Sequence, residues 1–304
     1  MIQSFRMLAV YKVRPQPLIE KGSLSKSNPF LVKASKAKRL LTMTKFAFLQ
    51  AFDIDIQSSL LNQIRDLWAH SSTALEGNTL SLAETKFIIE EGLTIGGKSI
   101  EDHQEVLGHV RAMKLLYQLV EKEITQQNLF ELHAAILPES TSENHKPRGA
   151  WKNVQDGTYA TDSNEQQVYI NYSSPEDIPD LIQEWLAELR VISKRSLTMN
   201  EAVSAYCQLH MGFVHIHPFW DGNGRLARLL SNIPLLKSGF PPLIISKQDR
   251  KEYIQLLANY QIDTGVITTH TGVWPETKSH GEFENFCMRE YQVTLELVEN
   301  AKVQ

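Results

Sequence analysis

Residues 217–225 read His-Pro-Phe-Trp-Asp-Gly-Asn-Gly-Arg, and Arg228 follows one helical turn later. The imidazole of His217 is neutral for much of the time near pH 7 and can take a proton from an attacking hydroxyl. Asp221 offers the single carboxylate that commonly holds Mg²⁺ while water and phosphate complete its octahedron. Gly222 and Gly224 permit backbone conformations that aim successive amides into one concavity at the start of a helix, which is an anion site. Asn223 can orient a phosphate oxygen. Arg225 and Arg228, three residues apart, can clamp the outer oxygens of a polyphosphate. A base, a metal ligand and an anion nest in one loop predict transfer of a phosphorus-containing group from a nucleoside triphosphate.

The elements that must hold this loop are helices. Thr198-Met199-Asn200-Glu201 is a capping box, and the helix it opens carries Val203, Tyr206, Leu209, His210 and Phe213 straight into the loop, where Pro218 marks its end. Leu226, Leu229, Leu230 and Ile233 define a helix beyond the loop, kinked or ended by Pro234. Upstream, Leu60, Leu61, Ile64, Leu67 and Trp68 recur at three-and-four spacing, predicting a helix from Ser58 that stops at Gly77-Asn78. Glu76 then sits at a helix C-terminus, a poor place for an acid, which suggests that a cation elsewhere in the fold holds it. Ser81 to Glu84 caps a short helix that Gly92 ends, and amphipathic patterns follow at 101–121 and 129–137. His133 reads as a hydrogen-bonded core histidine.

Between Thr141 and Ser174 the helical period breaks. Val168, Tyr169, Ile170, Asn171 and Tyr172 lie in an alternating stretch that reads as a strand, with the Val154 region as its hairpin partner. Ser174-Pro175-Glu176-Asp177 reads as the start of another helix, with its buried face at Ile178, Leu181, Ile182, Trp185, Leu186 and Leu189. The last helical patterns run from Asp249 to Ile262 and from Gly281 to Asn300. The fold class is therefore all-α with one small β-hairpin.

The 304 residues carry 42% hydrophobic and 22% charged side chains, as soluble globular chains do, and no apolar run is long enough to span a bilayer. Two cysteines, Cys207 and Cys287, sit in helical patterns among apolar neighbours; buried thiols in a reducing, cytoplasmic setting are expected, with export to a host cell left open. Residues 1–45 hold ten Lys or Arg against one acid, Glu20, in a chain whose net charge is -4. That leader reads as a loosely ordered basic arm ahead of N-terminal helices at 46–100 and a main body at 101–304.

The stretch from His217 to Arg225, with Arg228, resembles the complete signature of the Fic (filamentation-induced-by-cAMP) family, His-Pro-Phe-x-Asp/Glu-Gly-Asn-Gly-Arg-x-x-Arg, without departure at a specified position. The resemblance extends over residues 60–300. It implies a Fic-type helical domain that transfers AMP from ATP to a Ser, Thr or Tyr hydroxyl of a target protein and releases pyrophosphate. It further implies that His217 is the base and Asp221 the Mg²⁺ ligand. Gly222, Asn223 and Gly224 would hold the α-phosphate region, and Arg225 and Arg228 the β- and γ-phosphates. Residues Val168 to Tyr172 correspond to the flap that aligns the target. Trp151 and Lys152, after Gly149-Ala150, replace the Tyr and Arg that many members carry there.

Ser72-Thr73-Ala74-Leu75-Glu76-Gly77 is similar to the family's inhibitory pattern, Ser/Thr-x-x-x-Glu-Gly/Asn, in the class with an N-terminal inhibitory helix. The resemblance implies that Glu76 pairs with Arg228 and blocks productive ATP binding, and that self-association, as in a homodimer, tunes the block. Tyr253 and Asn259 are expected in the adenine pocket. Two rivals follow from the same sequence. Glu76 could position water to remove AMP from a modified protein, or the basic leader could mark a DNA- or partner-binding regulatory module. The absence of a helix-turn-helix with a basic recognition face ranks the last reading lowest.

Overall fold

The computed structural model describes residues 46–138, 146–162, 165–277 and 279–302. The basic leader lies outside them. The elements run α1 (Ile54–Leu75), α2 (Leu82–Glu91), α3 (Ile100–Leu119), α4 (Gln126–Ile136), β1 (Gly157–Thr161), β2 (Gln167–Asn171), α5 (Ile178–Ile192), α6 (Met199–Ile216), α7 (Asn223–Leu230), α8 (Ile233–Lys237), α9 (Arg250–Thr264) and α10 (His280–Ala301).

Helix α6 is the axis. Every residue from Leu209 to Ile216 is buried, so this stretch has no solvent face and must be surrounded. Helices α5, α7, α8 and α10 pack against it. Its start is fixed by reciprocal bonds between Thr198 and Glu201, and the same device opens α2 at Ser81 and Glu84. Trp185 of α5 sends its indole N–H to Leu209 O at 2.8 Å, and Trp274 does the same to Gln208 O at 2.7 Å. The indole of Trp185 is buried and that of Trp274 partly so, and both donors are satisfied, which keeps their burial inexpensive. Leu60, Ile64 and Trp68 of α1 join the same core as α6. Cys207 and Cys287 are buried and form no disulfide. Among the described residues no helix is long and apolar enough to cross a membrane.

The chain departs from the sequence expectation at three places. The hairpin partner of Gln167–Asn171 is Gly157–Thr161, three residues beyond Val154, with Tyr159 opposite Tyr169. Val154 is instead exposed on the approach to the hairpin. Helix α5 starts at Ile178, because Ser174 to Asp177 closes a turn in which Ser174 Oγ accepts from Asp177 N and donates to that residue's carboxylate. Pro234 neither ends nor kinks α7; it sits in the first turn of α8, where a missing amide hydrogen costs nothing.

Helices α3 and α4 approach so closely that a Cβ on Gly108 would lie 2.4 Å from the Ile136 carbonyl oxygen. Backbone cannot retreat as a side-chain tip can. Gly108→Ala is expected to destabilise the fold by about 1–3 kcal/mol in urea unfolding. Gly281→Ala, at a helical site where a Cβ meets nothing within 4 Å, is expected to be neutral or stabilising by up to about 1 kcal/mol.

Candidate active site

The loop between α6 and α7 owes its shape to two backbone reversals and one asparagine. His217 closes α6 in the left-handed region, φ 53°, a conformation that costs a non-glycine residue on the order of 1 kcal/mol. Gly222, φ 79°, makes the second reversal and is the N-cap of α7. Between them Asn223 Oδ1 accepts from Phe219 N at 2.9 Å and Asn223 Nδ2 donates to Phe219 O at 2.7 Å. The amide expected to orient phosphate therefore fastens the loop.

His133 of α4 braces the same loop from below. Gly149 N donates to His133 Nδ1 at 2.9 Å, so the ring proton is on Nε2, which donates to Asp221 O at 3.2 Å. The ring stacks on Phe219 with centroids 3.9 Å apart, and burial lowers its pKa to about 4. It is a neutral strut, more than the core histidine expected from its apolar neighbours.

His217 Nδ1 faces Val214 O at 3.4 Å, which leaves Nε2 toward the cavity as a proton acceptor. Tyr172 stacks on the ring at 3.7 Å with 9° between planes. Burial pushes the His217 pKa well below the ordinary imidazole range, and the Lys152 charge pushes in the same direction. The ring is thus neutral at physiological pH. The cavity it faces holds about 560 Å³ and is lined also by Asp156, Gly157, Thr158, Tyr172, Trp220 and Asp221.

On the other side of the loop, Leu226 N is the amide that bonds back to Gly222 O, so the amides of Asn223, Gly224 and Arg225 precede it at the helix start. Asp221 Oδ1 pairs with Arg225 Nη2 at 2.9 Å, and the Asp221 side chain stays 57% exposed. Burial alone would raise the Asp221 pKa, but Arg225 and the Gly222 amide outweigh it and hold the carboxylate below its usual range. Arg225 is buried and its second partner is Glu105 Oε1 of α3, at 3.2 Å. Glu105 in turn accepts from Asn78 Nδ2 at 2.9 Å.

Arg228 is buried with every guanidinium nitrogen engaged. Nε donates to Ser72 Oγ at 3.1 Å, Nη2 to Ser72 O at 2.7 Å and to Glu76 Oε1 at 2.6 Å, and Nη1 to Tyr253 Oη at 3.0 Å. Ser72 and Glu76 lie one turn apart on α1 and so face the arginine together. Glu76 is the C-cap of α1; Gly77, φ 109°, turns the chain away after it, and Arg250 Nε caps Leu75 O at 2.7 Å. Burial opposes the charge on Arg228, but the Tyr253 oxygen and the Glu76 carboxylate outweigh it and hold its pKa above the usual arginine range. Gly224 leaves the space for this pair: a Cβ there would lie 2.4 Å from Glu76 Oε1. Its role is room, since its φ is not reversed as Gly222's is.

Residues 123–235 match the model of the Fic/DOC family. The chain carries a Fic domain. The protein adenylyltransferase fic-1 of Caenorhabditis briggsae is 34% identical over 241 residues, covering 75% of this chain and 43% of that one. The protein adenylyltransferase Fic of Drosophila erecta is 35% identical over 190 residues, covering 62% of this chain and 35% of that one. The chain thus spans less than half the length of these curated relatives. Among solved structures, a Fic-domain signaling protein from Bacteroides thetaiotaomicron superposes with TM-score 0.69 at 23% identity, over 86% of this chain and 96% of that one. Fic-1 from C. elegans gives TM-score 0.62 at 24% identity, over 91% and 77%. The fold is the Fic fold.

Several expected site residues occupy other places. Tyr253 is buried, and its hydroxyl is taken by Arg228 and by His210, 3.0 Å away. Arg228 donates to the Tyr253 oxygen, so the hydroxyl proton goes to His210 Nε2. It is a support for the arginine in place of an adenine contact. Asn259 lies two turns on along α9 and accepts from Gln255 Nε2 at 2.9 Å. In the hairpin, Val168 and Tyr169 are exposed, Ile170 is buried, and Tyr172 covers His217. Trp151 packs on Phe130 and Phe219. Asp156, Glu105 and His133 reach the site from irregular or distant segments; the acid at 105 stood in an amphipathic pattern as an ordinary polar position and gave no local sign.

Removing the Tyr253 hydroxyl strands both Arg228 Nη1 and His210 Nε2 in the interior. Tyr253→Phe is expected to lose about 1–3 kcal/mol in urea unfolding, whereas Tyr159→Phe, at a ring 71% exposed, should stay within about 0.5 kcal/mol of the parent.

Proposed function

We propose that this chain is an Mg²⁺-dependent protein adenylyltransferase held inactive by its own Glu76. The observation that carries the reading is the convergence of His217 Nε2, the α7 amides and Arg228 on one loop, with Glu76 Oε1 2.6 Å from Arg228. The names of the relatives support the same activity.

In this reading ATP lies along the start of α7. The amides of Asn223, Gly224 and Arg225 donate to the α- and β-phosphates, and the helix dipole favours their charge. A target protein presents a Ser, Thr or Tyr hydroxyl beside the hairpin. Nε2 of His217 takes the hydroxyl proton, the oxygen bonds to the α-phosphorus, and the bond to the β-bridging oxygen breaks as pyrophosphate leaves. A single half-exposed carboxylate suits a hard cation that fills its shell with water and phosphate oxygens, and among the described residues no cluster of three His, Cys, Asp or Glu offers an all-protein cage. Asp221 would hold Mg²⁺, which when bound neutralises phosphate charge. The two reduced, buried cysteines suit a reducing compartment such as the cytoplasm.

Arg228 is the group that would meet the γ-phosphate, and Glu76 occupies it. A competing carboxylate of this kind shifts productive binding by about 5- to 150-fold. With ³²P-α-labelled ATP, Glu76→Gly is expected to raise AMP incorporation into the chain or an added protein at least about tenfold. His217→Ala in the same background should abolish it. Equal or no incorporation in parent and Glu76→Gly proteins, with ATP bound by both, would overturn the reading.

A further inference from the structure

Beside the base lies a charged pair that phosphate chemistry does not use. The Lys152 side chain is wholly buried and ends on the Asp156 carboxylate. Asp156 Oδ2 lies 4.0 Å from His217 Nε2, and Lys152 Nζ lies 5.5 Å from the Tyr172 ring that covers the imidazole. Backbone bonds lock the three together: Lys152 N donates to Pro218 O and Tyr172 N to Asp156 O, both at 3.0 Å. Burying a lysine costs several kcal/mol even when it is paired, and an apolar side chain of the same volume would fill the space as well. Stability therefore gives no reason for a pair at this spot, and proximity to His217 does.

His217 Nδ1 is turned to Val214 O, so the nitrogen that receives a proton is the one facing Asp156. Once protonated, the ring has a carboxylate within 4.0 Å on that side, and Tyr172 lies flat against its face. The other charged or titratable groups around it are Asp221 beyond the loop, Lys146 on the lining of the same cavity, and His215 on α6, the last kept neutral by burial. We propose that Asp156 is a positioning residue for His217: it holds the countercharge to the imidazolium formed as the target hydroxyl is deprotonated, and Lys152 fixes that carboxylate and limits its pull. The inference rests on His217 acting as the base. The proton moves from the target oxygen to Nε2, stays there beside Asp156 while pyrophosphate departs, and leaves to solvent with the product.

The pair predicts opposite effects from its two members. Lys152→Met removes a positive charge and leaves Asp156 facing the ring, so the His217 titration midpoint should rise by about one unit or more. Asp156→Asn added to Lys152→Met should bring it back down. The midpoint is read from the ¹³C-labelled histidine ring resonances of the whole chain without ATP, with the His217 signal identified by its loss in His217→Ala. In the Glu76→Gly background, Asp156→Asn should lower kcat for AMP transfer about tenfold with KM for ATP unchanged, and the acid limb of the Lys152→Met rate profile should move to higher pH. A midpoint that does not rise in Lys152→Met, or that stays up in the double variant, overturns the proposal. Because ring titration needs no turnover, a shifted midpoint in a chain that transfers no AMP would refute the enzymatic reading alone. A chain that transfers AMP with an unmoved midpoint would refute this inference alone.

Discussion

The guanidinium of Arg228 is the point on which the rest of this structure depends. A buried arginine is tolerable only when its charge and donors are matched, and here the match comes from three separate helices. Helix α1 supplies Ser72 twice and Glu76 once, α9 supplies Tyr253, and α6 reaches the arginine through His210 behind that tyrosine. Three of the four contacts are neutral and would persist with Glu76 gone. The arginine is therefore held in position by neutral partners and contested by one acid. Removing Glu76 would therefore take away one charged contact and leave the neutral ones in place.

The loop before Arg228 is rigid for a different reason. Its shape is determined by contacts internal to the site: the Asn223 amide on Phe219, the His133 ring on Asp221 O, and Phe219 stacked on His133 with Trp151 tilted against it. They fix the positions of Nε2 of His217, the α7 amides and the Asp221 carboxylate. Preorganised donors of this sort act without reorganising during reaction, which is where most catalytic stabilisation comes from.

The helices and the central loop were legible in the sequence because their signals are local. Capping boxes at Ser81 and Thr198 and the three-and-four apolar spacing placed elements to within a few residues. Glu76 was legible as an acid at a helix end where the dipole is unfavourable, and the cation it lacked is Arg228. What could not be read was set by tertiary contact. Glu105 looked like one polar position among many until α3 packed on α7. Asp156 sits in an irregular stretch with no period to mark it, and Tyr253 had the right chemistry for a nucleotide contact but faces inward. Pro175 and Pro234 were misread because one residue type both starts and stops helices, and the choice is made by the hydrogen bonds of its neighbours.

The account turns on whether Glu76 keeps Arg228 from the terminal phosphate, and binding separates this from turnover. Calorimetry of ATP and AMP with the parent and with Glu76→Gly, both with Mg²⁺ and without target protein, reads what the outer phosphates contribute in each. The account predicts that ATP gains about tenfold or more over AMP in Glu76→Gly and little in the parent. An equal gain in both proteins would mean that Arg228 already reaches the phosphates, or never does, and would contradict it.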